Sequence, residues 1–210
     1  MDFSTAIQEF GFDCKIRKLS PKTIDNYRKQ LLYLQRYLAD EHRIADVAAV
    51  RASHIKLFLD MMDEKGRKAR YINDLLKVFK TFFNYCKAEG HIMEHPTARI
   101  KNMKQPKVVI LTFTEDEIRR LLSYYHKRDF LSVRNRTMIA LFFDTGMRLA
   151  EVLTLRPEQI HEDYILVHGK GNKERLVLVS PYLAKSLLRY RAMRESRFDG
   201  GRFPEKYTWR

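Results

Sequence analysis

Two short segments hold the residues best suited to act on a phosphodiester. In Thr145-Gly146-Met147-Arg148-Leu149-Ala150-Glu151-Val152 an arginine follows a glycine able to end a helix, and in Gly169-Lys170-Gly171-Asn172-Lys173-Glu174-Arg175 a lysine lies between two glycines. A guanidinium that leaves a rigid element just after the backbone has turned can give two hydrogen bonds to non-bridging phosphate oxygens. It can also offset the added negative charge of a pentavalent transition state. Lys170, where the flanking glycines free the backbone, can extend into a groove. Each segment also has a plainer reading. Arg148 and Glu151 stand at helical spacing, so alone they spell a surface ion pair worth only tenths of a kcal/mol, and Lys173 equally fits a solvated basic turn.

The composition around these segments suits a polyanion. The chain has 210 residues, 45% of them hydrophobic, and a formal net charge of +14. That is enough apolar material for one large or two modest cores. The basic excess is shared by both halves, so neither is a detachable tail, and both are expected to face the same partner, with nucleic acid ahead of an anionic membrane surface. No apolar run approaches the length of about 20 residues that a membrane span needs, and the polar start Met1-Asp2-Phe3-Ser4 does not read as a signal peptide. A cytoplasmic protein without a membrane partner is the expectation. Cys14 and Cys86, each in an apolar-periodic stretch, read as buried free thiols. His91-Ile92-Met93-Glu94-His95 spells H-x-x-E-H, but Pro96 pushes His95 out of helical conformation, so no metal is expected there. The lysine turn lacks the spacing and the hydroxyl residue of a nucleotide-binding loop, so no cofactor or small-molecule ligand is expected either.

The elements that must position these groups are mostly helical. Four helices are expected in the first hundred residues. One runs from about Thr5 to Cys14, and a long one opens at Ser20-Pro21 with Ile24, Tyr27, Leu31, Leu34 and Leu38 on one face. A third spans about Ser53 to Glu64, and a fourth about Arg67 to Glu89. Pro96, Pro106 and the basic run from Ile100 to Gln105 mark a linker near residues 100–112, dividing a domain at 1–106 from one at 107–210. Thr114 to Glu117 is a capping box for a helix to about Tyr125, and a further helix is expected from Arg134 to Asp144. A short helix follows Arg148. Tyr164 to His168 and Arg175 to Val179 then flank the lysine turn as a β-hairpin, and Ser180-Pro181 opens a last helix to about Glu195. Tyr33 and Tyr37 fit a core better than base stacking.

At the two opening segments the chain resembles the tyrosine recombinases, the phage integrase and Xer-type family. Their first catalytic motif reads T-G-hydrophobic-R-x-x-E, and their catalytic lysine lies in a G-K-G-x-K-x-R turn. The first half matches more loosely the family's SAM-like core-binding domain, whose S-x-x-T-x-x-x-Y pattern appears as Ser20, Thr23 and Tyr27. The resemblance implies a mainly α fold: a four-helix core-binding domain, then the first half of an α-rich catalytic domain carrying a small β-hairpin. It implies DNA strand exchange through a 3′-phosphotyrosyl intermediate, with double-stranded DNA as partner, self-association on DNA in the complete protein, and no metal or nucleotide. Integration and the resolution of dimers, on a mobile element or in a host, both remain open.

Carried onto this sequence, the resemblance makes Arg148 a phosphate clamp, Lys170 the acid that protonates the departing 5′-oxygen, and Glu151 a residue that orients catalytic groups. Lys173 and Arg175 would be phosphate contacts. In the first half, Lys22, Thr23, Lys65, Arg67, Lys68, Arg70, Lys77 and Lys80 are the expected DNA contacts, with the fourth helix against the major groove. A helix start suits phosphate through both cationic side chains and free backbone amides. No histidine here is followed by arginine three residues later, and Tyr207 lacks the context of the family's nucleophile. The 210 residues are therefore expected to be either part of a longer recombinase or a truncated relative that occupies recombination sites without catalysis.

Overall fold

The computed structural model describes residues 1–106, 109–169, 173–198 and 209. Two compact units divide the chain, Met1–Val109 and Ile110–Arg210.

The first unit is a helical bundle of α1 (Phe3–Ile16), α2 (Pro21–His42), α3 (Ala52–Glu64) and α4 (Ala69–Ala88), with a 3-10 turn at Val47–Ala49. The first helix begins earlier than its periodicity suggests because Asp2 caps it: the Asp2 carboxylate accepts from the Thr5 amide at 3.2 Å. The Phe3 amide also bonds the Ala45 carbonyl at 2.8 Å, which pins that end of α1. Ser20 caps α2 as expected, its hydroxyl accepting from the Thr23 amide. At the start of the fourth helix, Gly66 turns with φ +72°, a conformation that favours glycine. Lys68 is extended at the N-cap, so Arg67 and Lys68 precede α4 instead of lying on it. Aromatic rings knit the core: Phe82 packs on Phe3 at 5.3 Å and Phe10 at 5.6 Å, and Phe58 takes Tyr33 at 5.3 Å and Tyr37 at 5.1 Å. The two tyrosines are thus packing residues.

Cys14 and Cys86 are free and buried in this core. Burial raises both thiol pKa values, that of Cys86 to about 12. His91 faces Glu9 at 3.2 Å, whereas His95 accepts from the Thr97 amide. The two histidines of the H-x-x-E-H string therefore serve different partners.

The sequence places the domain linker near residues 100–112, and the structure moves its start. Ile100 is buried, and Asn73 of α4 both donates to the Met103 carbonyl at 2.9 Å and accepts from the Met103 amide at 2.8 Å. Residues 100–103 thus belong to the bundle.

The second unit contains α5 (Glu115–Tyr124), α6 (Phe130–Thr145), α7 (Leu149–Leu153), a 3-10 turn at Pro157–Gln159, strands β1 (Tyr164–His168) and β2 (Glu174–Leu178), and α8 (Pro181–Phe198). The strands pair antiparallel with Tyr164 opposite Leu178 and His168 opposite Glu174, so β2 begins one residue before the expected Arg175. Helix α6 starts at Phe130, not Arg134, because Asp129 caps it, accepting from the Ser132 amide at 3.0 Å. The α5 capping box forms as read, with Glu117 reaching back to the Thr114 amide at 2.8 Å. Leu141, Val152, Leu155, Ile165, Val167 and Leu183 close the core, drawing α6, α7, the hairpin and α8 together. Among the described residues no helix is long and apolar enough to cross a membrane.

Candidate nucleic-acid and catalytic site

Arg148 is placed by a helix end and a helix start. Gly146 closes α6 at φ +61°, and Arg148, extended at φ −73° and ψ 152°, is the N-cap of α7. Met147 between them is buried and anchors the bend. Glu151, at the third position of α7, reaches back to the Arg148 amide at 2.8 Å, the reciprocal half of a capping box, and accepts from the Arg148 guanidinium at 3.1 Å. The ion-pair reading of the sequence is therefore real, yet it does not consume the arginine. The Arg148 side chain is 76% exposed while that of Glu151 is 6% exposed, so the guanidinium projects to solvent from a fixed base.

Glu151 has a further partner absent from the sequence reading. Arg175 of β2 donates from its two terminal nitrogens to the two Glu151 oxygens at 2.9 and 2.8 Å. This fork-to-fork pairing is the strongest geometry an ion pair adopts. The Arg175 bonds, then those from the Arg148 amide and guanidinium, hold the Glu151 carboxyl down to about 2 against the cost of its burial. Glu151 thus stays anionic in a buried position. Arg175, expected at a phosphate, instead directs its fork inward because it lies on the covered face of β2, and its contribution at this site is to hold the hairpin.

Lys170 falls outside the described residues, as do Gly171 and Asn172. The residues that flank them are fixed: the Gly169 amide bonds the Lys173 carbonyl at 2.7 Å, closing the hairpin. Gly169 passes so near the ion pair that a Cβ there would lie 3.2 Å from the Lys173 carbonyl, 3.7 Å from Arg175 and 3.8 Å from Glu151. The base of the lysine turn therefore sits against the same carboxylate that holds Arg148. Lys173 is exposed. An open groove beside Glu151 is lined by Met147, Leu155, Leu166 and His168.

In the first unit Lys22, Lys65, Arg67, Lys68, Arg70 and Lys77 are exposed, and the α4 N-terminus carries no side-chain cap. Two of the expected contacts are otherwise engaged. The Lys80 ammonium donates to the Ile100 carbonyl at 2.8 Å and is half-buried, and the Thr23 hydroxyl is 2.8 Å from that of Ser20 within the α2 cap.

Comparison with known proteins settles what this architecture is. Residues 14–90 match the family model for the phage integrase N-terminal SAM-like domain, and residues 112–201 match that of the phage integrase family. The chain belongs to the tyrosine recombinase, or phage integrase, family. Among curated members, tyrosine recombinase XerC of Lactobacillus delbrueckii subsp. bulgaricus is 29% identical over 176 residues, covering 83% of this chain and 59% of its own. XerD of Listeria monocytogenes is 27% identical over 163 residues, covering 77% and 55%. The chain thus spans somewhat more than half the length of these recombinases. In fold it is similar to a lambda integrase tetramer bound to a Holliday junction, with a TM-score of 0.72 at 18% identity, over 90% of this chain and 56% of that one. The Tn1549 transposon integrase in complex with circular intermediate DNA gives a TM-score of 0.71 at 15% identity, over 100% and 69%. Family membership thus extends over a mainly α fold with an N-terminal SAM-like domain and a small β-hairpin.

Proposed function

We propose that this chain supplies the DNA-binding domain and the first half of the active site of a site-specific tyrosine recombinase acting on double-stranded DNA. The observation that carries the reading is the Glu151 carboxylate, which holds the Arg148 helix and the hairpin bearing Lys170 at one point. In the proposed reaction a tyrosine attacks the scissile phosphate, conserving bond energy in a 3′-phosphotyrosyl link, and a 5′-hydroxyl later displaces it. Arg148 neutralises charge on the non-bridging oxygens as the phosphorus becomes pentavalent. Lys170 gives its proton to the departing 5′-oxygen. The exposed cations at the start of α4 hold the duplex backbone, and copies of the protein assemble on the recombination site.

The test joins this chain to the remainder of a XerC-type catalytic domain and offers it a nicked suicide duplex, in which the cleaved strand diffuses away and traps protein bonded to DNA. A covalent adduct is expected. Lys170→Ala should abolish it on ordinary DNA and regain it on a substrate with a 5′-thiolate leaving group, which needs no proton. Failure of that substrate to restore any cleavage would remove Lys170 from the role of acid. Duplex binding without any adduct would favour a non-catalytic occupant of recombination sites.

A further inference from the structure

We infer that the segment Ile100–Lys104 is a built part of the DNA-binding surface, with Lys101 and Lys104 as phosphate contacts that Asn73 and Lys80 hold in place. The inference rests on the DNA-binding reading above and extends it to residues outside the four helices.

Asn73 is a polar residue at a core position of α4, flanked by buried Ile72, Leu75 and Leu76, and is itself only 8% exposed. A buried amide without partners would cost about 1–3 kcal/mol. Its carboxamide is matched instead to one residue, donating to the Met103 carbonyl and accepting from the Met103 amide. Seven residues further along the same helix, Lys80 donates to the Ile100 carbonyl. From Asn73 to Lys80 the helix rises about 10 Å, and an extended chain from Met103 back to Ile100 spans about the same distance. The two bonds therefore lay residues 100–103 antiparallel along α4.

Between the two clasps the chain presents Lys101, and just beyond the Asn73 clasp it presents Lys104. Both are exposed, as is Lys77 on the turn of α4 between Asn73 and Lys80. Buried Ile100 and half-buried Met103 face the bundle, which leaves the lysines outward. Three cations thus accompany about 10 Å of helix, a density of positive charge comparable to the one phosphate per about 3.4 Å of axis that one DNA strand carries. Lysines on a segment already fixed lose less freedom on meeting phosphate than lysines on a loose tether, which is what the two clasps contribute.

The experiment measures duplex affinity of the full chain as a function of salt. Unsubstituted protein should lose affinity steeply as salt rises, and Lys101→Ala/Lys104→Ala should reduce the slope of log K against log salt by about 2, one unit per lost phosphate contact. Both substitutions are on exposed, non-helical positions, so the thermal unfolding midpoint should not move. A steep slope left unchanged by the double substitution would overturn the inference while sparing the DNA-binding reading. Absence of salt-dependent duplex binding by the unsubstituted chain would remove both. Asn73→Asp keeps an acceptor for the Met103 amide but lacks the donor for its carbonyl, and in that background the two lysines should matter less. A full, undiminished lysine effect there would overturn the role of the clasp.

Discussion

Arg175 and Glu151, on a strand and a helix with most of the hairpin between them in sequence, meet through two parallel hydrogen bonds of 2.9 and 2.8 Å. The pair ties strand β2 to α7, the helix that Arg148 caps. Glu151→Gln replaces one acceptor oxygen with a donor facing a guanidinium, leaving a buried group mismatched. It should destabilise the second unit by about 2–3 kcal/mol. Trp209, the one tryptophan of the sequence, stacks on Tyr190 at 4.9 Å and reports on that unit in denaturant unfolding followed by fluorescence. A loss no greater than that from Arg148→Ala would refute the central place given to the Glu151–Arg175 bond.

Arg148→Ala should change stability by no more than about 0.5 kcal/mol, since its bond to Glu151 is made by a side chain left largely in water. In the joined protein it should leave duplex affinity nearly intact and lower cleavage by orders of magnitude, because the role proposed for the guanidinium is to offset transition-state charge. Arg148→Lys should recover little, a point charge being a poor substitute for a planar fork. Equal losses in binding and cleavage would count against the assignment.

The Glu151 carboxyl, held at about 2 in the folded protein against an ordinary 4.5, fixes the sign of an acid effect. The unfolded chain takes up this proton first, so the stabilisation is complete above about pH 4.5 and is lost as pH falls towards 2. Fluorescence-detected unfolding of the second unit should steepen over that window and flatten in Glu151→Gln. The same pH profile in both proteins would contradict the shift.

A different window applies to the first unit. His54, at the third position of α3, accepts from the Arg51 amide at 3.1 Å, and its ring lies 4.9 Å from that of His42. Burial, then His42 and Arg51, lower its pKa below 6.5. Protonation would remove the acceptor and place charge at a helix N-terminus, so stability is complete above about pH 6.5 and declines as pH falls below it. His54→Gln keeps an acceptor suited to a capping box and removes the titration. Helical signal followed through thermal unfolding at pH 7 and pH 5 should show a smaller difference in that variant than in the parent.

The 210-residue polypeptide by itself should bind duplex DNA without forming a covalent adduct on the nicked suicide substrate. It contains the proposed phosphate clamp Arg148 and the proposed acid Lys170 but no histidine with arginine three residues on, and catalytic groups that act as a unit lose most of their effect when one is missing. An adduct that disappears in Tyr207→Phe would refute this and identify the nucleophile.

Much of the architecture is legible locally. The Ser20 and Thr114 caps, the glycine that ends α6 and the paired apolar runs of the hairpin each state their structure within a few residues. What the sequence conceals are pairings made through space. Arg175 reads as one more cation in a basic turn until the hairpin register directs it at Glu151. Asn73 shows a trace, a polar residue inside the apolar stripe of α4, but its partner thirty positions away has no signature, and so residues 100–103 pass for linker. The start of α6 hides for a local reason: Asp129 is a good cap, yet the apolar pattern becomes regular only a turn later.

The two thiols sealed in the first unit offer a clock for its opening. With Cys86 at about 12 and Cys14 also raised, almost no thiolate exists at neutral pH, and both sulfurs are closed to solvent. A thiol reagent can then react only during moments when the helices part, so its rate of incorporation counts those excursions without a denaturant. Added duplex that grips the bundle would slow the count, and the degree of slowing would translate DNA binding into the rigidity it confers on the buried core.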